Sequence, residues 1–268
     1  MTVGYEIREL RDVGELRDLA ELFAVVWGRS GEPPMGSDVL KALAHSGNYV
    51  AGASREGRLI GGLVGWFAGT PPDDLHLHSH ILGVLPGSET HGLGFELKQH
   101  QRRWCMARGL QIIEWTTDPL VRRNGYFNLT KLGANAPEYL INVYGEMRDG
   151  INAGEESDRL LVRWHLDSER AKRAAGGKAE EPDLARLHGD VVLNVGASGG
   201  PLASQRKDAR VLLCQVPDDI VAIRRVDPAK ARAWRIALRQ AMTDALAARY
   251  ELSGATRDGW YVLESADQ

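Results

Sequence analysis

The segment Val84-Leu85-Pro86-Gly87-Ser88-Glu89-Thr90-His91-Gly92-Leu93-Gly94 limits what this chain can fold into more than any other stretch. An extended run from Asp73 to Leu85 stops at Pro86-Gly87. After the glycines a helical pattern begins, with Leu93, Leu97, Gln101, Trp104 and Cys105 on one side. Two glycines in the first helical turn let a ligand come close to the backbone. The unpaired N–H groups there, aided by the helix dipole, favour phosphate. No Gly-Lys-Ser/Thr follows, so this is not a Walker loop, and the strands before it lack the βαβ setting of a dinucleotide fingerprint.

The flanking sequence completes a mixed α/β pattern. Tyr5, Ile7 and Leu10 alternate, and Leu16, Leu19, Leu22, Phe23, Val26 and Trp27 then recur at helical spacing. Asn48–Ala53 and Leu59–Phe67 read as a hairpin around Arg55-Glu56-Gly57-Arg58. Gly109 stands where the helix C-cap belongs. Leu110–Thr117 reads as a buried strand, Asn124–Leu132 as a short helix closed by Gly133, and Tyr139–Tyr144 and Leu160–Leu166 as two further strands. Residues 169–188 are charged and Ala-rich, as in a linker or surface helix. Strands are then expected at Val191–Val195 and Val211–Val216, separated by a loop at 196–208. A long helix begins at Asp227-Pro228 and reaches about Tyr250, and a hairpin ends the chain. The expected domains are 1–168 and 169–268.

Bulk numbers exclude several classes. Lys plus Arg is 33 against 36 Asp plus Glu, a net charge of −3, so the basic bias of a nucleic-acid binder is missing. No run of about eighteen apolar residues suits a membrane span, and MTVGYEIREL does not read as a signal peptide. Cys105 and Cys214 are far apart and fit no metal or redox spacing. These features lead us to expect a cytoplasmic protein with no metal, no nucleic-acid partner and no membrane.

Strand, glycine loop, helix, strand and a short helix ending Lys131-Leu132-Gly133-Ala134 resemble the GNAT acyltransferase superfamily. Its loop, Gln/Arg-x-x-Gly-x-Gly/Ala, is matched by Glu89-Thr90-His91-Gly92-Leu93-Gly94. The resemblance covers about residues 3–168 and is nearest to a little-characterised branch of acetyltransferases. Segments such as Ser79-His80, Leu97-Lys98 with Gln101-Arg102, Trp115-Thr116-x-Asp118-Pro119-Leu120, Phe127-Asn128-Leu129 and Tyr144-Gly145 carry it. It implies a GNAT-like mixed central sheet flanked by helices, followed by an α/β extension. That extension is either a degenerate second GNAT half or a family-specific addition that supports a homodimer.

The same resemblance implies acetyl-CoA or another acyl-CoA as co-substrate. The pantetheine arm is expected along Leu82-Gly83-Val84. The pyrophosphate is expected on N–H groups of Thr90, His91, Gly92, Leu93, Gly94 and Phe95, with Asn124 and Phe127 at the far end of the arm. Lys98, Arg102 and Arg103 either meet phosphates or form a solvated face. Two positions depart from the family pattern: Glu89 replaces Gln or Arg, and Leu129 stands where many relatives carry the Tyr that protonates the thiolate, leaving the general acid unassigned.

Acyl transfer to an amine needs a proton acceptor and an oxyanion donor. His76, His78 and His80 alternate and share a face on a regular strand. Such a row can present a base, hold a metal or stand solvated, and no spacing fixes the metal partners. His80 and Asp118 are the candidate bases, Trp115 and Tyr144 the candidate substrate contacts (with Asn152 and Asp158 nearby), and the N–H near Val84 the oxyanion donor. No serine elbow or Cys/His constellation is read, so direct attack of a small-molecule amine or hydroxyl on the thioester is expected. The alternatives are a catalytically silent acyl-CoA or acyl-carrier binding module, or other thioester chemistry such as hydrolysis or decarboxylation.

Overall fold

The computed structural model describes residues 4–28, 32–72, 74–88, 91–145, 156–204 and 209–266. They fall into two compact units, one running to Trp115 and the other taking up at Thr116.

The first unit contains β1 (Glu6–Glu9), α1 (Val13–Val26), α2 (Ser37–His45), β2 (Tyr49–Arg55), β3 (Arg58–Ala68), β4 (His76–Val84), α3 (Leu93–Met106) and β5 (Ile112–Thr117). The strands lie in sequence order. The first four are antiparallel, and β5 joins β4 in parallel. Asp12 starts α1 by accepting from the N–H of Gly14 at 2.8 Å. Leu16, Leu19, Leu22 and Phe23 of α1 are buried with Val50, Val64 and Ile81 on one sheet face. α3 covers the other face. Adjacent glycines on β3 allow both approaches: a Cβ on Gly62 would stand 2.2 Å from Leu19 Cδ1, and one on Gly61 3.2 Å from Leu93 Cδ2. The β2–β3 hairpin turns through Glu56 and Gly57, both at positive φ, as its sequence suggests.

One irregularity in β4 governs the site. Val64 pairs with Ile81, but Gly65 pairs with Ser79, so His80 is an extra residue in a β-bulge. Ser79 consequently faces α3 while Ile81 faces α1 and α2.

The second unit opens with α4 (Arg122–Gly125), which runs into a π-helical turn (Tyr126–Lys131). It continues with β6 (Asn135–Leu140), β7 (Arg159–His165), α5 (Glu169–Ala175), α6 (Leu184–Leu187), β8 (Asp190–Val195), β9 (Pro201–Ala203), β10 (Val211–Gln215), α7 (Ile220–Val226), α8 (Pro228–Ala247), β11 (Tyr250–Ala255) and β12 (Trp260–Ser265). Its strand order is β7-β6-β11-β12-β10-β8-β9, with β10 and β8 parallel. Asp227 caps α8, accepting from the Lys230 N–H at 3.0 Å, and Pro228 occupies the first turn. α8 buries Ala231, Trp234, Leu238, Met242 and Ala245 in a core shared with Leu129, Cys214 and Tyr261. β10, α8 and β11 thus follow one another as strand, helix and strand, with α7 between β10 and α8.

Four elements differ from expectation. The strand placed at 139–144 lies at Asn135–Leu140, because the chain extends straight after the positive-φ Gly133 and turns at Asn142 and Gly145. Tyr144 thus belongs to a turn. The expected loop at 196–208 contains the short edge strand β9, where Pro201 costs no ladder bond. α2 and α7 were not expected. α2 buries only Leu40, and α7 starts at its own cap, Asp219, just before the stronger start signal at Asp227-Pro228.

Candidate functional site

β4 and β5 pair at Leu77 with Ile113 and at His78 with Glu114, and the ladder goes no further. Beyond those rungs β4 continues to Val84 with its β5-facing edge unpaired among the described residues, so the two strands form a fork. The first residues past the last rung are Ser79 and Trp115. Between them sits Lys98 of α3, 4% exposed, whose Nζ donates to Ser79 Oγ at 2.8 Å and lies 3.5 Å from the centroid of the Trp115 ring. Lys98 Nζ also donates to Gln101 Oε1 at 3.4 Å. Burial pushes the Lys98 pKa well below an ordinary lysine's. Lys98 follows neither alternative, phosphate contact or solvated face: its side chain points into the sheet, while Arg103 is exposed.

On the opposite face the histidines do form a row, backed by Trp66 of β3. The Trp66 ring lies 5.0 Å from His78 and 4.6 Å from His80, and the two imidazoles are 5.7 Å apart. His76 departs from the others. Its Nε2 is 3.3 Å from Glu114 Oε2 and its Nδ1 is 2.9 Å from the Asp74 carbonyl. Burial, then His80, His76 and Lys98, lower the His78 pKa to about 4; His80 is exposed, and partial desolvation lowers its pKa as well. Both rings are accordingly neutral proton acceptors near pH 7. Among the described residues no three His, Cys, Asp or Glu side chains converge as a metal site.

At the other end of β4 the loop leads to α3. Glu89 and Thr90 lie outside the described residues. Gly92 is the N-cap in the left-handed region, at φ 89°, and as a glycine offers no side-chain cap. The Phe95 N–H reaches the Gly92 carbonyl at 2.9 Å. A Cβ on Gly94 would make only ordinary contact, 3.6 Å from Leu82 Cδ2. His91 is exposed, and Leu82 and Val84 are half-buried on the free stretch of β4.

In the second unit Asp118 is 6% exposed and held by two guanidiniums. Arg235 donates through Nη1 and Nη2 at 2.8 and 3.0 Å, and Arg224 through Nη2 at 2.6 Å. Burial raises the Asp118 pKa, but Arg235, Arg224 and Arg159 outweigh it and hold the carboxyl far below its usual range. Asp158 is likewise engaged, by Tyr139 at 2.8 Å and Arg239 at 2.8 Å. Asn124 and Phe127 are half-buried. Tyr144 is exposed, and its hydroxyl is 2.8 Å from Thr116 Oγ1. Leu129 is buried in the unit's core. Asn152 lies outside the described residues.

Sequence reasoning missed the Trp66 backing of the histidines and the inward turn of Lys98. The second was signalled by Lys98 standing three residues before the inward-facing Gln101. It also overlooked that Gly196-Ala197-Ser198-Gly199-Gly200 fits the letters Gly-x-Ser-x-Gly. This segment is a tight turn between the antiparallel strands β8 and β9, closed by Gly199 N–H to the Gly196 carbonyl at 2.8 Å. No helix follows directly, so Ser198 is not on a nucleophile elbow.

Residues 16–127 match the family model described as acetyltransferase (GNAT) family. Solved structures similar to this chain include the ribosomal-protein-S18-alanine N-acetyltransferase from Escherichia coli, at 13% identity over 61% of this chain and 95% of that one, with a TM-score of 0.49. Another is a putative acetyltransferase from Salmonella typhimurium with its cofactor acetyl-CoA, at 16% identity, 62% and 96% coverage, and a TM-score of 0.48. A third is an aminoglycoside acetyltransferase from an uncultured soil metagenomic sample, at 21% identity, 43% and 78% coverage, and a TM-score of 0.39. No curated protein sequence matches the chain. No helix among the described residues is long and apolar enough to cross a membrane. The expected α/β fold and the family match agree: residues 16–127 of this chain are similar to the GNAT family of acetyltransferases.

Proposed function

We propose that this chain transfers an acyl group from acetyl-CoA, or another acyl-CoA, to an amine or hydroxyl of a small molecule by direct attack on the thioester. The observation that carries the reading is the fork between β4 and β5, which opens one rung before the bulge at His80. From Ser79 to Val84 the free edge of β4 spans about 17 Å of main-chain donors and acceptors. The amides of a pantetheine arm pair with such an edge as an added strand does. The arm's pyrophosphate then meets the N-terminus of α3, which begins at a glycine cap. That direction of entry brings the thioester to Ser79 and His80, so the oxyanion donor is a main-chain N–H at the bulge rather than the one near Val84.

His80 takes the proton of the attacking amine. A neutral ring at the mouth of the fork suits that task, whereas Asp118 is bound on both oxygens and has little basicity to offer. Trp66, which backs His80, joins the candidate acceptor contacts, while one face of Trp115 is taken by Lys98.

Calorimetric titration with acetyl-CoA tests the reading, alongside Gly94→Glu. Gly94 has helical backbone and room for a Cβ, so the substitution sets a carboxylate at the phosphate end without backbone strain. Binding by the parent chain, weakened at least about tenfold in the variant at unchanged melting temperature, is the expected result. A parent chain that binds no acyl-CoA would overturn it.

A further inference from the structure

Lys98 is a buried amino group whose contacts among the described residues are all with neutral groups, and because burial disfavours its charged form, the ammonium is favoured only with an anion beside it. Its three N–H directions are met by a hydroxyl, an amide oxygen and an indole face. Among the described residues no carboxylate pairs with it. A methionine of similar length would fill the same space without the desolvation cost of a charge. The position is equally particular: Ser79 and Trp115, which Lys98 bridges, are the first residue on each strand past the last rung of the ladder. The ammonium therefore sits at the crotch of the fork, one hydroxyl away from the free edge of β4.

We propose that Lys98 supplies the positive charge against which the CoA sulfur departs. The inference rests on the acyl-transfer reading above and assigns it a leaving-group device. When the acceptor nitrogen attacks, its C–N bond forms and the C–S bond breaks, with the electron pair going to sulfur. The amine proton passes to His80, and the thiolate is left facing the Ser79–Lys98 pair, which it need not deprotonate to be stabilised. No phenol is required at position 129, where the leucine is committed to the core of the second unit. Lys98 acts through Ser79 and through its field, so it is a positioning residue rather than one that touches the reacting atoms.

The test needs no acceptor. CoA bound to the parent protein, Lys98→Met and Lys98→Arg is titrated with base, and the thiolate is followed by its ultraviolet absorbance. Burial pushes both protein thiols, Cys105 and Cys214, up to about 12, and subtracting the same titration of the ligand-free protein removes the tyrosine signal, so the difference below that pH belongs to the ligand. The bound thiol is expected to ionise about one pH unit below free CoA in the parent protein and in Lys98→Arg, a tenfold effect. In Lys98→Met that advantage disappears, acetyl-CoA affinity stays within about threefold, and the melting temperature does not fall, because an amino group buried without a counter-ion among the described residues has been removed. Lys98→Gln serves the same comparison if the methionine variant does not fold. A bound thiol that titrates alike in the parent and the uncharged variant overturns the role of Lys98 and leaves acyl transfer standing. Failure of the parent protein to bind either CoA or acetyl-CoA overturns both.

Discussion

Replacing Asp118 by asparagine should cost the second unit much of its stability. The carboxylate accepts three hydrogen bonds from Arg235 and Arg224 and one more from the Leu120 N–H at 3.0 Å. Arg235 is 2% exposed and Arg224 8%, so neither guanidinium can turn to solvent when its partner is lost. Breaking a buried pair from one side costs about 3–5 kcal/mol, because the remaining charge is stranded. At about 1.4 kcal/mol per factor of ten, the unfolded population rises more than a hundredfold. Urea denaturation at pH 7, followed by far-ultraviolet circular dichroism and tryptophan fluorescence together, measures it. The pH dependence is a second arm. Asp118 has its folded pKa depressed from 3.8, so its contribution is complete above that value and is lost as the pH falls below it. The parent protein should lose about 1.4 kcal/mol per pH unit in that range from this group, and Asp118→Asn should lack that component. A variant within about 1 kcal/mol of the parent at pH 7, or one with an unchanged acid slope, would refute the view that these charges are mutually dependent.

Once an acceptor is found, kcat/KM should hold constant below the ordinary histidine pKa of 6.5, because the pKa of His80 is shifted down by partial desolvation. His80→Gln should remove the acid limb and about 100-fold or more of the rate, and an unchanged pH–rate profile would discard His80 as the base. Leu129→Tyr is expected to destabilise by about 1–3 kcal/mol through overpacking without raising turnover. Thermal melts and thiol-release assays check both halves of that statement.

Much of the first unit was legible because its rules are local. Leu16, Leu19, Leu22 and Phe23 gave away α1 by spacing alone, and Gly92 and Gly109, both at positive φ, bracket α3 as the sequence suggests. The site was only partly legible. A bulge at His80 depends on the register of β3 against β4, which no feature of the β4 sequence announces. Asp118 looked like an available base because Arg224 and Arg235 lie over a hundred residues away and their approach is decided by tertiary packing. Lys98 was misassigned for a simpler reason: lysines are almost always solvated, and that habit outweighed its helical phase beside Gln101. Tyr144 was placed on a strand because aromatic and branched residues precede it, whereas Asn142 and Gly145 take the left-handed conformations that end one.

The bulge also bears on which sequence changes this strand can absorb. Leu77 and Ser79 face α3, while Ile81 and Gly83 face α1 and its neighbours. Side chains on a strand alternate, so Ser79 followed directly by Ile81 would already be in phase. His80 is therefore a supernumerary residue: a chain shortened by this one codon would keep every neighbouring side chain on its present face. Loss of one residue from a central strand ordinarily inverts everything beyond it, but here the packing is indifferent to the deletion. What the histidine adds is its ring beside Trp66 and His78, not the facing of its neighbours.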